Sequence, residues 1–250
     1  MKRLLILGGT GDAGQLAAQT IGIAGLETIT SLAGRTNQPG AVAGNVRVGG
    51  FGGETGLIEY LQTMRIDLVV DATHPFAAQI SWNAAHAAKT VGIPLLMVMR
   101  PAWERSTIDD WIEVESMVQA VDSIPATAER IFLTIGRQQL PLFASLTDRW
   151  CLMRSIDPPA ADILILLPPG KMLLDRGPFS LAQERQLLKD YQIQAIVSKN
   201  SGGDATYAKI IAARELEIPV VMIQRPIMPQ GEQVGDIAGA IEWLLERLNS

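Results

Sequence analysis

Short apolar runs alternate with amphipathic stretches from one end of this chain to the other. Residues 3–7, 28–32, 46–48, 68–71 and 95–99 read as strands, and 131–134, 151–154, 163–167, 195–198 and 220–223 form a second series. Several are continuously apolar rather than alternating, the pattern of parallel strands covered on both faces. Between them, 13–23, 54–64, 77–91, 181–190, 205–216 and 237–248 carry apolar residues at helical spacing. Strand–helix alternation of this kind predicts an α/β protein.

The chain also nearly repeats itself. Residues 93–101 read Ile-Pro-Leu-Leu-Met-Val-Met-Arg-Pro and residues 218–226 read Ile-Pro-Val-Val-Met-Ile-Gln-Arg-Pro, which sets Arg100 and Arg225 125 positions apart in 250. Each copy follows another apolar strand, a polar loop and an Ala-rich helix. The pattern predicts two similar Rossmann-like domains, 1–106 and 107–250, each ending its sheet with a strand followed by Arg-Pro. The join is expected in the polar, Trp-containing stretch 103–111. Open sheets of this type bind ligands at the carboxyl ends of their strands, so a cleft between the two domains is the expected site.

Composition narrows the function. Hydrophobic residues make up 48% of the chain and charged residues 19%, enough for a sizeable core and too apolar for wholesale disorder. With 21 Lys and Arg against 26 Asp and Glu, the net charge of −5 argues against a general nucleic-acid or anionic-membrane binder. A local basic cleft for a small anion remains compatible. The single cysteine, Cys151, excludes an intramolecular disulfide and a multi-cysteine metal site. Its neighbours Trp150 and Leu152 predict a buried thiol. No secretory signal and no apolar run near the ~18 residues of a membrane span is present, so the cytoplasm is the expected location.

The loops after the strands carry the chemistry. The first strand runs into Gly8-Gly9-Thr10-Gly11-Asp12-Ala13-Gly14. Glycines there permit a tight turn and close approach of backbone amides to a pyrophosphate, with a helix N-terminus behind. After the second strand comes Arg35-Thr36 where an NAD site would carry an acid, which favours a 2′-phosphate and hence NADP(H). Gly50, in the glycine-rich stretch 49–53, is a further candidate for close ligand approach. The fourth strand ends in Asp71-Ala72-Thr73-His74-Pro75-Phe76, a position near the nicotinamide ribose in dinucleotide folds. Asp71 and Thr73 are read as cofactor contacts. His74 suits either proton donation or a hydrogen bond to a ligand carboxylate; His86, in mid-helix, is read as structural. In the second half, Lys199-Asn200-Ser201-Gly202-Gly203 suits an anion or a polar substrate edge. Arg137, Arg154 and Arg176 also follow strands or turns, and converging on one cleft they would bind a polycarboxylate.

Gly8-Gly9-Thr10 with Asp12-Ala13, Ala33-Gly34-Arg35, Asp71-Ala72-Thr73-His74-Pro75-Phe76, Gly177-Pro178-Phe179, Lys199-Asn200-Ser201-Gly202-Gly203 and the closing Arg225-Pro226 resemble, in order and over essentially the whole chain, the precorrin-6A reductase family of corrin biosynthesis. The resemblance implies NADPH on the first domain and a tetrapyrrole polycarboxylate between the two. It implies hydride delivery to a ring carbon of precorrin-6A or cobalt-precorrin-6A, giving precorrin-6B. His74, Phe76, Arg137, Arg176, Lys199, Asn200, Ser201 and Gly202 are then the expected substrate contacts, with His74 the candidate catalytic group. No resident metal is expected, and the chain is read as a monomer or small homo-oligomer. A short-chain-type reductase would need Tyr-x-x-x-Lys, but Tyr60, Tyr191 and Tyr207 are followed four residues on by Met64, Ala195 and Ile211. A non-catalytic NADP-sensing regulator fits the first half and leaves the polar loops of the second unexplained.

Overall fold

A computed structural model describes residues 1–34 and 42–249. Arg35 and Thr36 lie outside the described residues. The elements run β1 (Lys2–Leu7), α1 (Gly11–Thr20), β2 (Leu26–Leu32), β3 (Asn45–Val48), α2 (Gly53–Thr63), β4 (Leu68–Asp71), α3 (Ala78–Val91) and β5 (Leu95–Val98). They continue as β6 (Trp111–Val114), α4 (Met117–Asp122), β7 (Arg130–Thr134), a 3-10 helix (Arg137–Phe143), β8 (Trp150–Ser155), α5 (Ala161–Leu164) and β9 (Gly170–Leu174). Last come α6 (Leu181–Asp190), β10 (Ala195–Lys199), α7 (Ala208–Glu215), β11 (Val220–Ile223), β12 (Glu232–Val234) and α8 (Ile237–Leu248).

Two parallel 6-stranded sheets result, ordered β12-β5-β4-β1-β2-β3 and β6-β11-β10-β7-β8-β9. Read from the other edge, each is the doubly wound order in which the strand sequence reverses between the first and fourth strands, β1 and β4 in one sheet, β7 and β10 in the other. Both faces are covered. Leu4 and Ile6 of β1 pack with Leu16, Trp243 and Leu244, while Leu5 and Leu7 pack with Leu57, Leu61 and Ala84. This two-residue alternation between two buried faces is why the strands read as continuous apolar runs. In the second sheet, Phe132 and Ile196 meet Leu188 and Ile210 of the helical layer.

The chain divides into two compact units, Met1–Pro101 with Pro226–Ser250, and Ala102–Arg225. The sequence expectation ran the second domain to residue 250. The final segment instead pairs β12 with β5 and packs α8 beside α1, because an apolar helix face (Ala240, Trp243, Leu244) matches Leu16 and Ala17. The chain leaves the first unit directly after one Arg-Pro arginine's strand and returns directly after the other's. Neither β5 nor β11 therefore ends its sheet, as the repeat had suggested; β12 and β6 flank them. The second unit has the element order of the first with its edge strand moved to the front.

One predicted strand is replaced. Residues 163–167 contain the end of α5 and exposed Ile165 and Leu166, and the strand beside β8 is β9. An apolar run that short does not distinguish helix from strand. The ladder begins only at Gly170, beyond Pro168 and Pro169, where an added Cβ would lie 1.8 Å from the Cys151 carbonyl oxygen.

Candidate active site

In each unit most of the described sequence-predicted residues lie in loops at the point of strand reversal. In the first, Gly8 donates its amide to the Ser31 carbonyl at 2.9 Å, and a Cβ there would sit 3.1 Å from Thr30 Cγ2. A side chain there would require the neighbouring strand to give by a few tenths of an ångström. Gly9 has φ +106°, with open space where a side chain would stand, and Gly11 and Gly14 are likewise unobstructed. The loop is thus tight on its sheet side and open above.

Thr10 fixes its shape. The hydroxyl accepts from the Ala13 amide at 3.1 Å, capping α1, and donates to the Ala72 carbonyl at 2.7 Å. The same side chain therefore sets the helix start and ties the glycine loop to the loop after β4. The helix N-terminus retains orphan amide donors, which together with its dipole favour an anion. Asp12 in that first turn would oppose one, and the Arg100 guanidinium neutralises it at 2.5 Å.

The loop after β4 is similarly built. Asp71 is buried, and one carboxylate oxygen accepts from the Thr73 amide at 3.0 Å and its hydroxyl at 2.7 Å. His74 Nδ1 accepts from the Phe76 amide at 3.2 Å, while its carbonyl accepts from Ala77 at 2.7 Å. An accepting Nδ1 assigns the ring proton to Nε2. His86 is half-exposed on α3 and meets Glu54 at 3.2 Å, away from this loop. Gly50 follows β3, three strands along the sheet from β4. There Arg47, which the sequence reading missed, donates to the Gly49 and Gly50 carbonyls and to Ser31 Oγ, with its guanidinium 3.8 Å above the Phe51 ring. An arginine inside a short strand just ahead of a glycine run was the available signal.

In the second unit, Arg137 follows β7 and Lys199 ends β10, so both stand at the reversal point. Arg137 donates to the Pro158 carbonyl at 2.8 Å. Asn200 is buried, and its amide brackets the Trp103 main chain, accepting from the amide at 2.8 Å and donating to the carbonyl at 3.0 Å. Ser201 and Asn200 offer their carbonyls to Arg225 at 3.1 and 3.0 Å. Gly202 and Gly203 take φ of 69° and 71°, which glycine alone adopts without strain. Arg176 is exposed, and the adjoining Phe179 amide donates to the Ala205 carbonyl at 3.2 Å, bringing this segment to the end of the same loop. Arg154 is not among the gathered groups. It is buried in a two-point ion pair with Glu184 at 2.5 and 3.1 Å, its guanidinium 3.8 Å over Phe179. Cys151 is buried, and desolvation pushes its thiol up to about 12, leaving it inert at neutral pH.

Two doubly wound sheets, one opening on a glycine loop and the other on a basic loop, match one known family from end to end. Residues 3–245 fit the precorrin-6x reductase CbiJ/CobK family model. The chain belongs to this family. A precorrin-6A reductase of Rhodococcus erythropolis is 48% identical over 246 residues, covering 98% of each chain. A solved CobK precorrin-6A reductase superposes with a TM-score of 0.91 at 40% identity, covering 98% of this chain and 97% of its own. A cobalt-precorrin-6A reductase of Priestia megaterium is 28% identical over 261 residues, covering 99% and 100%. Members of the family are oxidoreductases acting on a CH–CH bond. Among the described residues, no helix is long and apolar enough to cross a membrane.

Proposed function

We propose that this chain reduces one ring double bond of precorrin-6A to give precorrin-6B, with NADPH as reductant, in the cytoplasm and as a monomer or small homo-oligomer. NADPH supplies a hydride and a solvent proton completes the addition of two hydrogens. The observation that carries the reading is that one unit has an open glycine cradle at its strand reversal and the other unit has a Lys- and Arg-bearing loop at its own. Family membership supplies the substrate, and the higher identity to relatives named for the metal-free precorrin favours that form over the cobalt one.

The stretch Gly8, Gly9, Thr10, Gly11, Asp12 and Ala13 would hold the pyrophosphate through its main chain, the Asp12 carboxylate being neutralised by Arg100, and Asp71 and Thr73 would hold the nicotinamide-ribose end. Arg35 and Thr36 would take the 2′-phosphate, and Gly50 would border the adenosine. Arg137, Arg176 and Lys199 would pair with substrate carboxylates, with Ser201 and Gly202 shaping the same edge. Asn200 supports this edge from behind, since its amide already engages Trp103. His74 orients substrate as a neutral Nε2 donor beside Phe76. Acting as an acid would require an imidazolium, and protonating Nδ1 would break its bond to the Phe76 amide.

The test is direct. Purified chain given precorrin-6A and NADPH should consume NADPH and yield a product two hydrogens heavier. Tight NADPH binding without consumption would overturn the reading in favour of a sensor. With His74→Asn, a raised KM and a rate within a few-fold of wild type supports orientation, whereas a loss of about a hundredfold at unchanged KM assigns the proton to His74.

A further inference from the structure

A buried lysine sits behind the basic loop and has no part in the reaction described above. Lys209, in the first turn of α7, is 4% exposed and donates to the Thr206 carbonyl at 2.9 Å. Its ammonium lies 4.7 Å from the centre of the Trp103 ring. Arg154 from β8 and Glu184 from α6 face it, Glu184 being almost fully enclosed. Tyr207 also lies near Trp103, with centroids 5.6 Å apart, and its hydroxyl meets Arg214, which is paired with Asp109. Burying a third charge beside an already satisfied ion pair is costly unless it does something for the fold or the site.

What it touches is the residue that holds the loop. Trp103 is bound to loop 199–203 at both ends. Its main chain is bracketed by the Asn200 amide, and its indole Nε1 donates to the Gly203 carbonyl at 2.8 Å. Since Gly202 and Gly203 have no side chains to stiffen them, this indole bond defines where the far end of the loop lies. A cation against the ring face fixes the plane of the ring, and with it the direction of Nε1.

We propose that Lys209 is a positioning residue: through the Trp103 indole it holds loop 199–203 in the form that receives a carboxylate edge of the substrate. This rests on the reading of that loop as a substrate contact. Burial, followed by the charge of Arg154, pushes the Lys209 ammonium down to about 7, with Glu184 opposing, so the contact changes charge in the neutral range.

The full-length protein provides the test. Lys209→Met keeps the length of the side chain without its charge, and Trp103→Phe keeps a ring without the Nε1 donor. Each should raise the KM for precorrin-6A about five- to tenfold, with NADPH affinity unchanged. Wild-type KM in both variants overturns the proposal. Lys199→Ala separates this from the reading beneath it: an unchanged KM there removes the reading and the proposal together, while a raised KM in Lys199→Ala alone removes only the role of Lys209. A readout without substrate covers a Lys209→Met chain that fails to fold. Wild-type indole emission should titrate near neutral pH, and Trp103→Phe should lack that titration; identical pH profiles for the two overturn the contact.

Discussion

Replacing Thr10 by valine removes two hydrogen bonds at nearly constant shape, and the two bonds do different things. The bond from the Ala13 amide caps α1, and loss of a cap of this type costs about 1 kcal/mol. The bond to Ala72 ends on a residue only 2% exposed, so losing the partner of its carbonyl costs about 1–2 kcal/mol. The two sites are adjacent and need not add fully, so about 2–3 kcal/mol is expected. At about 2–4 °C per kcal/mol for a chain of 250 residues, Thr10→Val should melt about 4–12 °C below wild type. Thr10→Ser retains both bonds and serves as the control. Scanning calorimetry gives the melting temperatures, and titration calorimetry with NADPH gives the second consequence, a weakened cofactor site, because the glycine loop is no longer tied to the loop after β4. Thr10→Val melting together with Thr10→Ser would refute the assignment of both roles to the hydroxyl.

Two further perturbations probe the second unit. Glu184→Gln leaves Arg154 as a buried cation without an anion and pushes the Lys209 ammonium further down, and should cost about 3–5 kcal/mol in urea unfolding; a loss under about 1 kcal/mol would mean that water reaches the pair. Lys209 should also leave a mark on stability against pH. Between about 7 and its ordinary 10.5, the unfolded chain holds a proton that the folded chain has released, so the contribution of this group to stability rises with pH across that window. Urea midpoints at pH 6, 7.5 and 9 should therefore show wild type gaining on Lys209→Met, and parallel curves would contradict the burial of the amine.

Strands whose both faces are covered read clearly in the sequence, because burial demands apolar residues at every position. β4, β10 and β11 are of this type and were placed to within a residue. β12 and β6 were missed for the opposite reason. Glu-Gln-Val at 232–234 carries no strand pattern of its own and is extended because the free edge of β5 offers it a ladder. The special backbone of the candidate site was legible where glycines cluster after a strand, as at Gly8, Gly9, Gly202 and Gly203. The site was not legible where a residue's task is to hold another. Asn200 reads as a polar ligand contact but engages Trp103; Arg154 reads as a carboxylate binder but is closed in on Glu184; Trp103 and Lys209, distant in sequence, gave no signal at all. Such partnerships depend on tertiary packing, which local pattern does not encode.

The return of residues 226–250 to the first sheet has a consequence for synthesis on the ribosome. The second unit is continuous, so all its strands have emerged once residue 225 is out. The first unit begins to emerge earlier yet finishes later. Until β12 and α8 arrive, β5 presents an unpaired edge and the apolar side of α1 lacks its cover of Trp243 and Leu244. At a translation rate of about 5–20 residues per second, this half-built sheet waits about 6–25 seconds while the inserted unit is made, exposed to the edge-to-edge pairing that open strands invite. The order of completion is thus the reverse of the order of appearance, and a nascent chain arrested near residue 225 should present the edge of β5 to any chaperone that captures unpaired strands.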